Sequence, residues 1–405
     1  MKYIWILMIS LLLLVMIFIC SNLLLTTYEY FENNENNETL SFDNLLLTDK
    51  IRSPDFNNLI LIDSIDSYKN NILIIDMPNL GGGTTFFINS IVSKYKNYTN
   101  FIIVRNFNNR LHVYVNDIYK LNIDFDDNES ILFLNNVQPS IVKIFVNHTH
   151  SHSASFLNHI FTLNKPIATI THDFSLLFLE PHLKYEDIIN KTPPVSIIDI
   201  NKYDLIITQN KINTEIFAPF VTDHTKIITI PLPDYSKTNK YIINKSKLTN
   251  VGIIGNISDL KGANKLKELI KLSNGKFTII IFGSTNFDYV NQYKYSNVNE
   301  LNSLMIKHKP TMIIELSMWP ETYSYTLTLA KIIGLPLLYL KKTFPSVIED
   351  RLEGYSNAYS YSNIIKLSND IPNKNQYFFN TINPTLYFNN KWNFLFTNNT
   401  NKWTN

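Results

Sequence analysis

Cysteine is almost absent from this 405-residue chain, and the single one, Cys20, lies inside an apolar N-terminal run. No intramolecular disulfide can form, and neither a disulfide scaffold nor a cysteine-based zinc site is possible. A surplus of charge is lacking too: 36 Lys and Arg stand against 34 Asp and Glu, a formal net charge of +2. With no clustered Lys/Arg run either, nothing is available to neutralise a phosphate backbone, and nucleic acid is not an expected partner. The hydrophobic share of 45% and charged share of 17% suit two globular domains of ordinary size, each with its own core. Asn, Ile, Lys and Tyr are plentiful, a bias that AT-rich coding sequence produces by itself, so polar Asn runs carry little structural weight.

From Tyr3 to Leu25 there is no charge. A helix of that length rises on the order of 35 Å, enough for a hydrocarbon core of about 30 Å. The expectation is one transmembrane signal-anchor over residues 1–27, contacting the membrane through residues 3–25. The alternative is a cleaved signal peptide, whose apolar region runs only about 7 to 15 residues. Lys2 precedes the run, while Glu29, Glu32, Glu35 and Glu38 follow it. The positive-inside bias then favours a lumenal or extracytosolic body over a cytosolic one. Sequons such as Asn37, Asn97 and Asn147 agree with that side, and the missing disulfides point the other way, so orientation stays open.

Residues 28–55 are acidic and Asn-rich, as in a stem. Beyond them, short apolar runs alternate with amphipathic segments, the pattern of β-α units and a parallel sheet. NILIID at 71, FIIVRN at 101, LHVYVND at 111, SIVKIFVNH at 140, PIATITHD at 166, YDLIITQN at 203 and KIITIPLP at 226 are strand candidates. A polar linker, 236–248, separates these from a second series: VGIIGNI at 251, FTIIIFG at 277, TMIIELS at 311 and LPLLYL at 335. Ala263, Leu266, Leu269 and Ile270 give the helix after VGIIGNI one apolar face. Pro320 is placed to open a helix that closes at Gly334, with Pro336 beyond. The two halves resemble each other only as alternating series, with no short tandem repeat. Open parallel sheets bind ligands at the carboxyl ends of their strands, so two such domains define one interdomain cleft.

Three stretches could carry chemistry. In WPETYSYTLTLAKIIGLP, residues 319–336, a helix start would offer free N–H groups and a dipole to a diphosphate, and Glu321 could accept hydrogen bonds from sugar hydroxyls. Glu321 could equally be an ordinary first-turn acid. In IIGNISDLKG, residues 253–262, Lys261 and Gly262 sit at a strand-turn-helix junction, where a lysine is otherwise a solvated cap. Gly81, Gly82 and Gly83 follow a strand and precede a helix, as a structural turn or as a loop approaching a phosphate or sugar; Phe86 at the third glycine position excludes a dinucleotide fingerprint.

The 319–336 segment resembles the donor-binding signature of the retaining glycosyltransferases called group 1 or family 4, which have the GT-B fold. The resemblance covers most of residues 71–370. It implies an α/β protein of two Rossmann-like domains facing a cleft, preceded here by the transmembrane helix. Residues 56–235 would form the N-terminal acceptor-side domain, 249–370 the C-terminal donor-binding domain and 371–405 a tail. It also implies transfer of a sugar, with retention, from a nucleotide diphosphate sugar to a glycan, lipid or protein acceptor. The nucleotide sugar is a co-substrate, and neither cofactor nor metal is expected.

Carried over residue by residue, the resemblance makes His172, Lys261 and Glu321 the catalytic candidates. The donor site would comprise Gly81, Gly82, Gly83, Gly255, Asn256, Lys261, Gly262, Glu321, Thr322, Tyr323, Ser324 and Tyr325. His172-Asp173 resembles a pair that relatives place under the donor sugar. Two departures matter. Asn256 stands where the family carries arginine and brings no charge, and Leu329 stands where a second Glu clamps the ribose; Glu315 is a possible substitute. They support the rival reading, a degenerate binding protein without turnover; a GT-B-shaped sugar-nucleotide epimerase is the other rival. His148, His150 and His152 alternate and on an extended chain would share a side, open to metal binding, cleft lining or neither.

Overall fold

The structure, a computed structural model, describes residues 69–78, 82–124, 127–179, 183, 185–190, 196, 198–242, 249–374, 378–397 and 403. The expected anchor and stem lie outside the described residues. Among the described residues, no helix is long and apolar enough to cross a membrane.

Among the described residues, two α/β layers built on parallel strands carry most of the chain, beside one two-stranded ribbon. The first sheet joins β1 (Asn70–Asp76), β2 (Thr99–Phe107), β3 (Arg110–Val115), β4 (Ile118–Asp124), β5 (Lys143–Val146), β6 (Ile167–Ile170), β7 (Leu205–Thr208) and β8 (Ile227–Thr229). Their order is β4-β3-β2-β1-β5-β6-β7-β8. Strand β1 shows why the sheet needs covering on both faces: Leu73 and Ile75 enter one core, Ile72 and Ile74 the other. A period of two that is apolar at every position is what a doubly covered parallel strand demands.

One edge departs from the parallel expectation, since β2, β3 and β4 form an antiparallel meander. Two-residue turns cause it. Asn108 and Asn109 have φ of 51° and 57°, and Asn116 and Asp117 of 51° and 68°, the positive values that tight hairpins require and that Asn and Asp tolerate best.

After β9 (Asp234–Ile242), the second sheet collects β10 (Thr249–Ile257), β11 (Phe277–Thr285), β12 (Gln292–Tyr293), β13 (Met312–Glu315), β14 (Leu337–Leu340) and β15 (Ala358–Tyr361) in the order β12-β11-β10-β13-β14-β15. Here too apolar cores lie on both faces, Ile254 and Phe282 in one, Val251, Ile253 and Leu266 in the other.

The stretch read as a linker opens with β9, which pairs antiparallel with β16 (Phe378–Tyr387). The stretch read as a tail returns to the first sheet. Its helix Asn390–Thr397 places Trp392, Leu395 and Phe396 in the first sheet's core, where Trp403 joins them. Trp392 Nε1 donates to Pro231 O at 2.9 Å, and Trp403 Nε1 to Pro166 O at 2.9 Å.

In each sheet the chain order reverses at one place, between β1 and β5 and between β10 and β13. Open α/β sheets hold ligands outside the carboxyl ends of strands at such switch points. The next residues after those strands are therefore where a site belongs.

Candidate active site

At the second switch point, the turn after β10 and the loop after β13 touch. Gly262 adopts φ +89°, and a Cβ there would lie 2.2 Å from Leu316 O, so only glycine permits this approach. Met318 N donates to Leu260 O at 2.8 Å, tying the two segments. Their contact brings Lys261 Nζ to 3.4 Å from Glu321 Oε1, which also accepts from Ser317 Oγ at 2.9 Å. Glu321 is 5% exposed. Its charge raises the Lys261 ammonium above the ordinary lysine range against the opposing effect of burial, so the pair is ionic.

Glu315, at the end of β13, accepts from Ser317 N at 2.7 Å; burial first, and the Glu321 charge second, push its carboxyl upward. Lys342, just beyond β14, donates to Ser317 O, and its own backbone N–H is held by Glu349 Oε1 at 2.8 Å. Burial pulls its ammonium down, while Glu315, Glu349 and Glu321 work the other way. The site thus contains two lysines and two glutamates at the carboxyl ends of three adjacent strands.

The helix expected to open at Pro320 starts later, at Tyr325, and runs to Ile333 with Ser324 as its cap. Residues 319–324 are an irregular loop because other partners claim them. Ser324 sits at φ +68°, outside the helical region, and Arg351 Nη1 donates to both Tyr323 O at 2.6 Å and Ser324 O at 2.8 Å. Tyr323 donates to Asp234 Oδ2 at 2.9 Å, under the Arg351 guanidinium at 3.9 Å. Glu321 therefore precedes the helix rather than decorating its first turn.

The same loop is fastened to the first domain. Trp319 belongs to the first sheet's core, edge-on to Phe174 at 6.2 Å. Thr322 Oγ1 donates to His172 O, and Thr322 O accepts from Asn210 and Asn213. The carboxyl ends of the two sheets meet here.

At the first switch point Arg105 Nε bonds Asp76 Oδ2 at 2.8 Å, Asn147 Nδ2 donates to Asp76 Oδ1 at 2.7 Å, and Asn147 Oδ1 lies 2.8 Å from His172 Nε2. A carboxylate only accepts, so the Asn147 amide must donate to it, and its oxygen then takes the Nε2–H of His172. His172 is left with Nδ1 as an acceptor. Burial, then the neighbouring His148, pull its pKa down to about 3, so the ring is neutral.

The three alternating histidines do not share a side. They follow β5 in a turn: His148 Nε2 lies 2.9 Å from Asp173 Oδ2, His152 Nε2 lies 2.8 Å from Asp76 O, and His150 is exposed. Among the described residues no cluster of three His, Cys, Asp or Glu side chains is placed to hold a metal ion.

Other expected site residues are dispersed. Gly81 lies outside the described residues. Gly82 begins the helix Gly82–Tyr95, and a Cβ on Gly83 would stand 2.9 Å from the Tyr325 ring, so this loop's close approach is to the other domain's tyrosine. Gly255 faces Thr326, with 2.7 Å from a would-be Cβ to Cγ2. Asn256 is exposed and accepts from Ser284 Oγ at 3.1 Å. Leu329 is 7% exposed in the second core, which makes the missing ribose carboxylate a packing residue. Asn147 is also buried, at 1%, so its sequon is closed in the folded chain.

No family model matches this chain, and no curated protein matches it in sequence. Solved structures do. HepE of Anabaena, solved in complex with UDP-glucose, is 13% identical over 75% of this chain and 89% of that one, with a TM-score of 0.52. A glycosyltransferase from Rickettsia africae is 11% identical over 75% of this chain and 88% of its own, with a TM-score of 0.50. Sucrose-phosphate synthase of Thermosynechococcus elongatus is 8% identical over 75% and 89%, with a TM-score of 0.50. The chain has the GT-B fold. At these identities the likeness is one of architecture.

Proposed function

We propose that this protein is a glycosyltransferase that moves a sugar from a nucleotide diphosphate sugar to a glycan, lipid or protein acceptor. The observation that carries the reading is the ion pair between Lys261 and Glu321 at the second switch point, bonded through the adjacent Thr322 to the backbone of His172. A lysine there can neutralise a leaving diphosphate as charge develops on it, which is where stabilisation accelerates the chemical step. Glu321 and the free Nδ1 of His172 can accept hydrogen bonds from sugar hydroxyls, and Glu321 is released for that task when the diphosphate takes its lysine. The anomeric C–O bond to phosphate breaks with its electrons going to the phosphate oxygen, the acceptor oxygen bonds the anomeric carbon, and the acceptor proton passes to the departing phosphate. This front-side course gives retention. HepE, solved with UDP and with UDP-glucose, supports a nucleotide sugar as the ligand.

Residues 249–370 would hold the donor and residues 56–235 the acceptor, on a body anchored through residues 3–25 and placed on the lumenal side. Protease protection tests the side: a lumenal body is shielded in sealed vesicles and carries glycan at exposed Asn97 but none at Asn147, whereas a digested, unmodified body is cytosolic.

A binding protein without turnover is the second reading, favoured by the solvent-facing Asn256 and the core position of Leu329. A donor panel decides between them. Release of UDP or GDP from a sugar nucleotide supports the transferase, and binding without release supports the second reading.

A further inference from the structure

The loop that carries Glu321 belongs to the second sheet by connectivity, but its carbonyl at Thr322 is held from the first domain. Asn210 Nδ2 donates to Thr322 O at 2.7 Å and Asn213 Nδ2 donates to the same oxygen at 2.6 Å. Both asparagines are buried, at 9% and 0% exposure. Two amides converging on one carbonyl use both of its lone pairs and leave that peptide no rotational freedom. That carbonyl belongs to the Thr322–Tyr323 peptide, one residue beyond the peptide that follows Glu321, so fixing it anchors the loop backbone immediately after Glu321 and limits where the Glu321 side chain can start.

The two asparagines differ in what else they do. Asn210 caps the helix Lys211–Phe217, its Oδ1 accepting from Asn213 N at 2.9 Å. The Asn213 amide has no such second task.

We infer that Asn210 and Asn213 are positioning residues, which act from the first domain through the Thr322 carbonyl to hold Glu321 against Lys261. The inference rests on the transferase reading for its effect on turnover, though not for its effect on geometry. It makes the sugar-binding carboxylate of one domain dependent on side chains of the other. Loss of the amides frees the loop, Glu321 leaves Lys261, and sugar transfer falls while nucleotide affinity, no longer opposed by a carboxylate competing for the lysine, is kept or rises.

The test uses the full chain in detergent with two variants. Asn210→Asp keeps the helix cap, because Asp caps as well as Asn, and replaces the donated bond by a carboxylate facing the carbonyl. Asn213→Asp places a carboxylate against the carbonyl. Turnover of a nucleotide sugar is expected to fall about a hundredfold, in line with small misplacements of a reacting group, with UDP affinity undiminished. A second readout is acetic anhydride labelling of Lys261, measured against Lys265 in the same chain. An ammonium released from its carboxylate loses protons more readily and acylates faster. Labelling of Lys261 relative to Lys265 should rise about fivefold in both variants, as it should in Glu321→Gln. Unchanged labelling in the asparagine variants, with a rise in Glu321→Gln, overturns the inference. If the wild-type chain turns over no nucleotide sugar, the transferase reading fails, and the labelling ratio still decides the positioning role.

Discussion

Lys261 and Glu321 face each other across 3.4 Å, one from the turn after β10 and the other from the loop after β13. On the transferase reading, a diphosphate entering the switch point would compete with Glu321 for the lysine, and donor arrival would free the carboxylate for sugar hydroxyls.

Lys261→Ala should therefore lower turnover more than donor binding. An interaction that strengthens as the leaving group gains charge is worth on the order of a hundredfold in kcat, against a smaller loss in donor affinity. Steady-state kinetics beside equilibrium binding measure the split. Equal losses would make the lysine a ground-state contact only.

Leu329→Glu would restore the carboxylate that family resemblance expects, in a place where it has no access to a ligand. Leu329 packs in the second core with Ile254 and Phe282. Burying an unpaired acid there should cost on the order of 3 kcal/mol, read as a drop in the urea midpoint. A gain in nucleotide affinity without loss of stability would show that the position faces the site.

How much of this could be read from residues alone depends on whether each signal was local. The strands NILIID and FTIIIFG are legible as apolar runs, and Lys261, Gly262 and Glu321, which the structure brings to one switch point, stand out by pattern. The hairpin edge was also written locally, in Asn108-Asn109 and Asn116-Asp117, but an Asn-rich composition masked those turns. The pairing of β9 with β16 was not legible, because a polar strand is stabilised by a backbone ladder with a partner far along the chain. The late start of the 325–333 helix depends on Arg351, Asn210 and Asn213, none of them near it in sequence. Asn210 did carry a local cap signal, an Asn before an apolar helix. Its second role, on Thr322, is purely tertiary.

Trp392→Ala tests the return of the C-terminal segment to the first sheet. The indole is fully buried, stacked on Phe396 at 6.1 Å and tilted against Phe87 at 5.2 Å. Truncation should cost about 3 to 5 kcal/mol. A loss below about 1 kcal/mol would mean that the segment is not part of the core.

Acid should destabilise this protein from pH 6.5 downward. Burial holds His172 at about 3 and His152 at about 4, against an ordinary 6.5. With folded values depressed, the unfolded chain takes up protons first as pH falls, so the contribution of these two rings is full above 6.5 and is lost progressively toward 4 and 3; His148, whose burial is outweighed by its bond to Asp173, is raised and works the other way. Asp173 continues the trend: burial raises its carboxyl, the bond from His148 outweighs that and holds it at about 2, and its contribution is lost below its ordinary 3.8. The unfolding temperature should fall between pH 6.5 and 4.5, less steeply in His172→Gln. A flat profile in the wild type would contradict the buried neutral imidazoles.

The central claim is most directly tested by incubating the full chain in detergent with a panel of UDP- and GDP-sugars and measuring nucleoside diphosphate release. The arrangement of Lys261, Glu321 and His172 predicts release from at least one donor, abolished by Glu321→Gln. Neither binding nor release across the whole panel would contradict the assignment of this site to sugar transfer.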